Sequence, residues 1–386
     1  MNHIEKLIEE LCPNGVEFRQ LGEIVRIKNG SDYKHLNPGT VPVYGSGGIL
    51  TYVDEAAFTG ETVLLPRKGS LSSVFFVNGP VWTVDTCYYT EIDEERLLPR
   101  FFYYVMVMSK LERLNTAGGV PSLTQRVLNR LKVPVPPLEV QREIVKVLDL
   151  FTDMEAELEA ELVARRKQYE HYRDQLLTFP EDGGAPWVEL GNLATVMSGN
   201  AFPKAFQNKS SGDFAFYKVS DMNLSGNSTF MGRANNYVNE EDVFTLGASL
   251  VPGMSIIFPK VGAAVATNKK RMTVEECLVD NNVMAVTPGQ ELNVRFLHHW
   301  FETIDLRDIA HQHVALPSIR KTAVLKMQMP LPPLSEQKRI AEILDTFDAL
   351  VNDLESGLPA EIEARRKQYE YYRDKLLTFK QLEPAA

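Results

Sequence analysis

Apolar positions along this chain follow two periods. Short runs of β-branched and aromatic residues, Thr62–Pro66 (TVLLP), Ser73–Val77 (SVFFV) and Val81–Ile92 (VWTVDTCYYTEI), predict strands, with Asn78–Pro80 (NGP) as a turn. Pro99–Leu114 and Val294–Ile309 have the spacing of buried amphipathic helices, and His3–Leu11 that of a short one. A longer stripe steps by three and four: Ile144, Val147, Phe151, Met154, Leu158, then, after one stutter, Leu162, Arg165, Tyr169, Tyr172, Leu176 and Phe179. It suits a long helix packed against another long helix.

The stripe occurs twice. ARRKQYEHYRDQLLTF (Ala164–Phe179) returns as ARRKQYEYYRDKLLTF (Ala364–Phe379), differing only at His171/Tyr371 and Gln175/Lys375. Upstream, VPVPPLEVQREIVKVLDLF (Val133–Phe151) is echoed by MPLPPLSEQKRIAEILDTF (Met329–Phe347). Each has Pro-x-Pro-Pro-Leu followed three residues later by Gln, and the prolines suit a helix start just after them. Weaker echoes join the rest: LGEIVRIKNG (Leu21–Gly30) with LGNLATVMSG (Leu190–Gly199), LLPRKGS (Leu64–Ser70) with IFPKVGA (Ile257–Ala263), and VPSL (Val120–Leu123) with LPSI (Leu316–Ile319). The order is globular, helix, globular, helix, with near-identical helices and divergent globular parts.

The second copy carries four extra residues near Gly357 and Pro359. This predicts one unbroken first helix and a second that breaks there and resumes through Phe379. About forty helical residues span roughly 60 Å and need a partner. The expected fold is α+β: two strand-rich globular domains separated by an antiparallel coiled coil, with an internal pseudo-twofold repeat. The expected seam is Phe151, Leu158, Tyr169, Tyr172 and Leu176 against Phe347, Leu354, Tyr369, Tyr372 and Leu376. The opposite face, Lys167, Glu170 and Asp174 matched by Lys367, Glu370 and Asp374, is expected to dock a partner twice.

Net charge is −10. By segment it is −1 over 1–133, −4 over 134–180, −2 over 181–329 and −3 over 330–386. The acid concentrates in the helices, which leaves the globular parts free to present local basic faces. No apolar run is long enough to span a membrane, and the acidic start lacks a signal-peptide pattern, so a cytoplasmic chain is expected. Cys12, Cys87 and Cys277 are widely spaced, so neither a zinc site nor a disulfide framework is indicated. There is no P-loop, and no Asn/Asp-Pro-Pro-aromatic motif of the kind that holds a flipped adenine. YGSGG (Tyr44–Gly48) reads as a turn. His298, His299, His311 and His313 read as helix-surface or loop residues, with no metal expected. Asp85 and Asp280, in the similar contexts TVDTC and LVDNN, read as strand-end hydrogen-bonding residues.

PLPPLSEQ…IAEILDTFDAL…SGLPAEIEARRKQYEYYRDKLLTF, with its shorter echo at Pro134–Phe179, resembles the DNA specificity subunit of type I restriction-modification systems. The resemblance covers nearly the whole chain. It implies a non-catalytic subunit: target recognition domains at 1–133 and 181–329, and conserved helical regions at 134–180 and 330–386. It implies double-stranded DNA with a bipartite site as ligand. Two modification subunits would carry S-adenosylmethionine and adenine-N6 methylation, and restriction subunits would use ATP and Mg; no cofactor is expected on this chain. From their chemistry, the candidate DNA contacts are Arg67, Lys68, Ser70 and Ser72 in one domain, and Lys260, Lys269, Lys270 and Arg271 in the other. Lys34, Tyr44, Ser46, Gln125, Lys218 and Lys321, polar residues of expected loops, complete the set. A specificity subunit of a type IIB-like fused restriction-methylation enzyme shares this design, and an interaction scaffold that binds no DNA is a further reading.

Overall fold

The computed structural model describes residues 2–115, 119–180, 184–311, 316–352 and 357–382. Two of the residues singled out above, His313 and Leu354, lie outside them. The chain forms two compact units, Met1–Ala156 with Ala364–Ala386, and Glu157–Glu363. Among the described residues no helix is long and apolar enough to cross a membrane.

Unit one opens with α1 (Asn2–Leu11), β1 (Phe18–Gln20), β2 (Val25–Asn29), β3 (Pro38–Gly45) and β4 (Gly48–Val53). It continues with β5 (Phe58–Pro66), β6 (Phe75–Thr83), β7 (Cys87–Ile92), α2 (Pro99–Met108), α3 (Gln125–Asn129), β8 (Lys132–Pro134) and α4 (Leu138–Leu177). The sheet runs β2-β7-β5-β6-β3-β4, with only β3 and β6 parallel. β1 and β8 pair apart from it and clip the start of the domain to its end. The expected turn at Asn78–Pro80 is instead the middle of β6, paired with Thr59–Glu61 of β5. Gly79 lies opposite Gly60, both with positive φ (133° and 131°), and this pair lets two strands pass where turn-forming residues suggested a reversal. YGSGG does form a turn, joining β3 to β4.

Unit two contains β9 (Trp187–Glu189), α5 (Leu190–Leu193), β10 (Ala194–Ser198), β11 (Phe214–Tyr217), β12 (Phe230–Met231), β13 (Tyr237–Val238), α6 (Glu240–Leu246) and β14 (Ile256–Pro259). There follow β15 (Arg271–Thr273), β16 (Cys277–Val279), β17 (Val283–Pro288), α7 (Val294–Glu302), α8 (Leu306–Ile309), α9 (Lys321–Leu325), β18 (Gln328–Pro330), α10 (Leu334–Asn352) and α11 (Leu358–Leu377). Its main sheet, β10-β17-β14-β15-β12, repeats at one end the β2-β7-β5 order of unit one. β9 and β18 form the equivalent clip. A second sheet, β13-β11-β16, has no counterpart in unit one. A Cβ on Gly30 would collide with the carbonyl oxygens of Thr83 and Val84, and one on Gly199 with those of Val279 and Asp280. The LGEIVRIKNG and LGNLATVMSG echoes therefore end on glycine because backbone passes there.

The long helices are shared between the units. α4 is unbroken, as expected, and the unit boundary falls inside it. α10 is described as far as Asn352, Gly357 is non-helical and α11 starts at Leu358, so the described residues interrupt the second helix at Gly357, beside Pro359. Within unit one, Phe151 stacks on Tyr372 (centroids 5.3 Å apart, planes at 24°) and Arg366 Nε donates to Glu155 at 2.5 Å, so these stretches run antiparallel. Within unit two, Tyr172 stacks on Phe347 in the same way (5.4 Å, 27°). Leu158 is half-buried. The rest of the expected seam serves elsewhere. Leu376 and Leu377 are buried in the core of unit one beside Val140, Ile144, Leu148 and Phe101, and Tyr369 packs against that core. Tyr169 and Leu177 are buried in the core of unit two beside Ile340, Leu344 and Phe296, and Leu176 packs against it. A helix-on-helix stripe is a helix-on-domain stripe at these positions, because an α/β layer offers the same apolar partner surface as a second helix.

The repeated glutamine explains how each domain grips its helix. Gln141 Nε2 donates to the Arg96 and Pro136 carbonyls, both at 2.7 Å, and its Oε1 accepts from Leu98 N–H at 2.8 Å. Gln337 makes the same three bonds, to the carbonyls of Glu291 (3.1 Å) and Pro332 (2.8 Å) and from Asn293 N–H (2.8 Å). Both side chains are fully buried. Each ties the N-terminus of a domain helix, α2 or α7, to the proline turn that starts α4 or α10.

A turn further on, the domain helix meets an aspartate. Asp149 accepts from Arg100 Nε (2.7 Å) and the Tyr104 hydroxyl (2.5 Å). Asp345 accepts from Arg295 Nε and His299 Nε2, both at 2.7 Å. On its other side, His299 Nδ1 lies within hydrogen-bond distance of the Tyr169 hydroxyl (3.1 Å). His298 and His299 are thus buried, contrary to their reading as surface or loop residues. His298 lies 3.8 Å from Glu302. Burial and the neighbouring Arg295, His299 and Arg271 hold His298 well below the ordinary histidine range.

Two predictions follow from these contacts. Gln141→Leu keeps the volume but strands one N–H and two carbonyls, and should cost about 2–4 kcal/mol; a urea midpoint equal to that of the parent chain would contradict it. His298 stays neutral when folded, while its unfolded form takes up a proton below about pH 6.5. Its contribution is therefore complete above that pH and declines as pH falls. Hydrogen exchange in α7, corrected for intrinsic rates, should accelerate between about pH 6.5 and 5 while α2 does not. His298→Tyr should flatten the response.

Candidate nucleic-acid interface

The two strongest sequence echoes outside the helices meet in space. After β5, Arg67 N–H donates to the Thr86 carbonyl (2.9 Å), and the Arg67 carbonyl accepts from Leu123 N–H (2.8 Å). Gly69 N–H donates to the Pro121 carbonyl (3.0 Å), and Lys68 bridges to Ser122. After β14, Lys260 N–H donates to the Asn282 carbonyl and the Lys260 carbonyl accepts from Ile319 N–H, both at 2.8 Å. Gly262 N–H donates to the Pro317 carbonyl (2.7 Å), and Val261 bridges to Ser318. PRKGS is thus clamped by VPSL as PKVGA is by LPSI. Gly69 and Gly262 have φ of 83° and 72°, a left-handed turn that suits glycine. Basic side chains are set at the same strand end of both domains on a backbone fixed from two sides.

In unit one the clamp gathers most of the candidates. Ser46 N–H donates to Thr86 Oγ1 (3.3 Å), and a Cβ on Gly69 would lie 3.2 Å from Ser46 Oγ. Tyr44 packs on Phe75, and burial raises its phenol above the ordinary value. Ser70 and Ser72 are exposed. Arg67 lies over the Tyr88 ring and donates to the Asp85 carbonyl (3.3 Å), while Lys68 Nζ pairs with Asp85 Oδ2 at 3.2 Å. Lys34 is exposed on the loop after Gly30. Gln125 is committed to structure: its Nε2 donates to the Ile27 carbonyl (3.1 Å) and Asn29 Oδ1 (3.3 Å), tying α3 to β2.

Unit two sorts its candidates differently. Lys260 is half-buried; burial lowers its ammonium and Asp280 partly restores it. Lys218 Nζ donates to Gln207 Oε1 (2.6 Å) over the Phe202 ring. Lys321 is exposed at the first residue of α9, the position of Gln125 in α3. Lys269 bonds the Asn223 side chain. Lys270 does not belong to a surface set: it is fully buried, its ammonium spent on the Ile304 carbonyl (2.6 Å) and Asn268 Oδ1 (3.0 Å). Arg271 is half-buried beside it, with Nη1 on the Lys270 carbonyl (2.8 Å) and Nε enclosed by protein. NKKR looked like a basic cluster because sequence shows charge and not the strand, β15, that turns two of these residues inward.

Sequence reasoning had noted the two aspartates but not their place. Asp85 stands in the turn before β7, beside the basic loop, whereas Asp280 is buried and bridges to Asn200 just before the matching turn, where unit one has Val84. Asp280 accepts from Asn282 N–H and Nδ2, both at 3.1 Å, as a strand-end residue should. Among the described residues no group of three His, Cys, Asp or Glu side chains could hold a metal.

Two similar frames, each offering a clamped basic loop, match one known design. The sequence model of the type I restriction modification DNA specificity domain fits residues 13–165 and again 186–364. A Haemophilus influenzae protein named as a type I restriction enzyme specificity subunit is 30% identical, the match covering 97% of this chain and 98% of the relative. The specificity subunit of a type I restriction enzyme of Escherichia coli is 29% identical over 98% and 97%. The crystal structure of the S subunit of the M. genitalium type I system superposes with a TM-score of 0.61 at 15% identity, over 94% of this chain and 96% of that one. A chain from a structural study of type I complex assembly superposes with 0.62 at 16% identity, over 95% and 98%. The doubled frame, the doubled loop and the doubled family match agree: the chain belongs to the type I restriction-modification DNA specificity family and is the DNA-recognition subunit of such a system.

Proposed function

We infer that each globular domain reads one half of a bipartite DNA site, and that the helical regions set the spacing and dock two modification subunits. The observation that carries this is the repeated clamp. The same backbone bonds hold Arg67–Gly69 and Lys260–Gly262, but the side chains differ: Arg67, Lys68 and Ser70 against Lys260, Val261 and Ala263. A constant frame with changed side chains suits two heads that use one docking geometry on two different sequences. The halves therefore need not form a palindrome.

On this reading the subunit is non-catalytic and works in the cytoplasm. S-adenosylmethionine and adenine-N6 methylation belong to the modification partners, and ATP and Mg to the restriction subunits. The docking face is the outer side of the repeated helix. Lys167, Glu170 and Asp174, like Lys367, Glu370 and Asp374, are exposed, while Tyr169 and Tyr369 on the opposite side are held by domain cores. Presenting one surface twice fits two copies of one partner.

Methylome sequencing of a host that expresses this chain with its modification partner should reveal a split motif with adenine methylated in each half; a continuous or palindromic motif would count against two different heads. Arg67→Ala with Lys68→Ala should weaken binding to that site and flatten its salt dependence by about two phosphate contacts. Complex assembly should be unaffected, and unchanged affinity in a mobility-shift titration would remove this loop from the interface. Glu170→Lys with Asp174→Lys, on one copy of the face only, should leave one modification subunit per chain in native mass spectrometry; retention of two would relocate the docking surface.

A further inference from the structure

The clamped loop of unit one places an acidic side chain where a DNA-facing surface gains nothing from one. Asp85 is well exposed, with 62% of its side chain accessible, and its Oδ2 lies 3.2 Å from Lys68 Nζ. The guanidinium of Arg67 also turns to this residue, donating to its main-chain carbonyl. Both cationic groups of the unit-one loop therefore converge on one aspartate. In unit two the residue that matches Asp85 is Asn281, and the neighbouring Asp280 is buried. Its carboxylate is fixed by two donors from Asn282, and it interacts electrostatically with Lys260 and Lys218.

A carboxylate beside a phosphate-binding loop repels the DNA backbone, whatever its sequence. It also occupies the amine that would neutralise a phosphate. The groups on DNA that meet it favourably are amino donors on base edges, cytosine N4–H and adenine N6–H, which only certain sequences present at a given position. The cost is thus uniform over all DNA and the gain is confined to some sequences.

We propose that Asp85 is a specificity-determining residue, which withholds the neighbouring basic side chains from non-target DNA and yields them only where base-edge donors face its carboxylate. The proposal rests on the reading that this loop faces DNA. It is tested on the full chain assembled with its modification subunits, with two duplexes of equal length: one carrying the site mapped by methylome sequencing and one with that site scrambled.

Asp85→Asn keeps the shape and removes the charge. It should tighten binding to the scrambled duplex by up to about fivefold at low salt, the worth of one exposed ion pair. The salt dependence on that duplex should steepen by about one contact. Binding to the mapped site should gain less or weaken, so the ratio between the two duplexes falls. Arg67→Ala with Lys68→Ala separates the two levels of inference. If that variant weakens binding while Asp85→Asn leaves the ratio unchanged, the discriminating role is overturned and the loop assignment stands. If it leaves binding unchanged as well, the loop assignment falls and the discriminating role falls with it.

Discussion

Neither domain closes its core from its own stretch of chain, and the rest of the architecture follows from that. Unit one buries Leu376 and Leu377, which lie more than two hundred residues beyond its other core residues. Unit two buries Tyr169 and Leu177, which precede its globular part and belong to α4. Each core also takes the first turns of the helix that follows its domain: Val140, Ile144 and Leu148 in one, Ile340, Ala341 and Leu344 in the other. Burying a large apolar side chain is worth about 1.5–3 kcal/mol, so a domain without its borrowed residues would lose a large part of a marginal stability. Each helix end therefore has a fixed place in one particular core.

This accounts for the near-identity of the two ARRKQYE segments without any catalytic role. Tyr169 sets its hydroxyl against His299, and Tyr369 sets its ring against Tyr104. Tyr172 stacks on Phe347, and Tyr372 stacks on Phe151. The two copies solve one packing problem against two versions of the same domain frame. They differ only at His171/Tyr371 and Gln175/Lys375, and all four of these side chains are exposed. The exposed positions that match, Lys167, Glu170 and Asp174 with Lys367, Glu370 and Asp374, are those that packing does not explain.

Much of this was legible in the sequence because repeats leave a trace that needs no structural template. The unbroken first helix, the break in the second and the prolines and glutamine that open each were read from spacing. The failures share one cause: local residue type was taken for local environment. NGP suggested a turn, but two facing glycines allow a strand. Two adjacent histidines suggested a surface, but α7 turns both into the core. Lys270 suggested a phosphate contact, but β15 aims it at the Ile304 carbonyl. Tyr172 and Tyr372 do meet the helix residues expected of them, but Tyr169 and Tyr369 of the same stripe pack on domain cores, which present the same apolar surface. In each case a non-local partner decided the outcome, and periodicity within one segment carries no information about that partner.

The glutamine latch and the acidic turn show two ways in which a duplicated frame uses polar groups. Gln141 and Gln337 are buried with three bonds each, so they tolerate no substitution that removes a donor or an acceptor, and both copies keep them. The aspartate–arginine contact below them is looser. Asp149 and Asp345 keep their arginine, but the third partner is a tyrosine in one unit and a histidine in the other. Both residues offer a donor of similar reach, so geometry permits the exchange. Chemistry then separates the units: next to His299, His298 is a buried neutral imidazole, while its counterpart Tyr103 is a phenol that takes up no proton in mild acid. Geometry is shared wherever a backbone group must be satisfied, and side-chain identity drifts wherever one donor replaces another. The clamped loops are the extreme of the same rule, with backbone bonds repeated almost one for one and side chains that scarcely match.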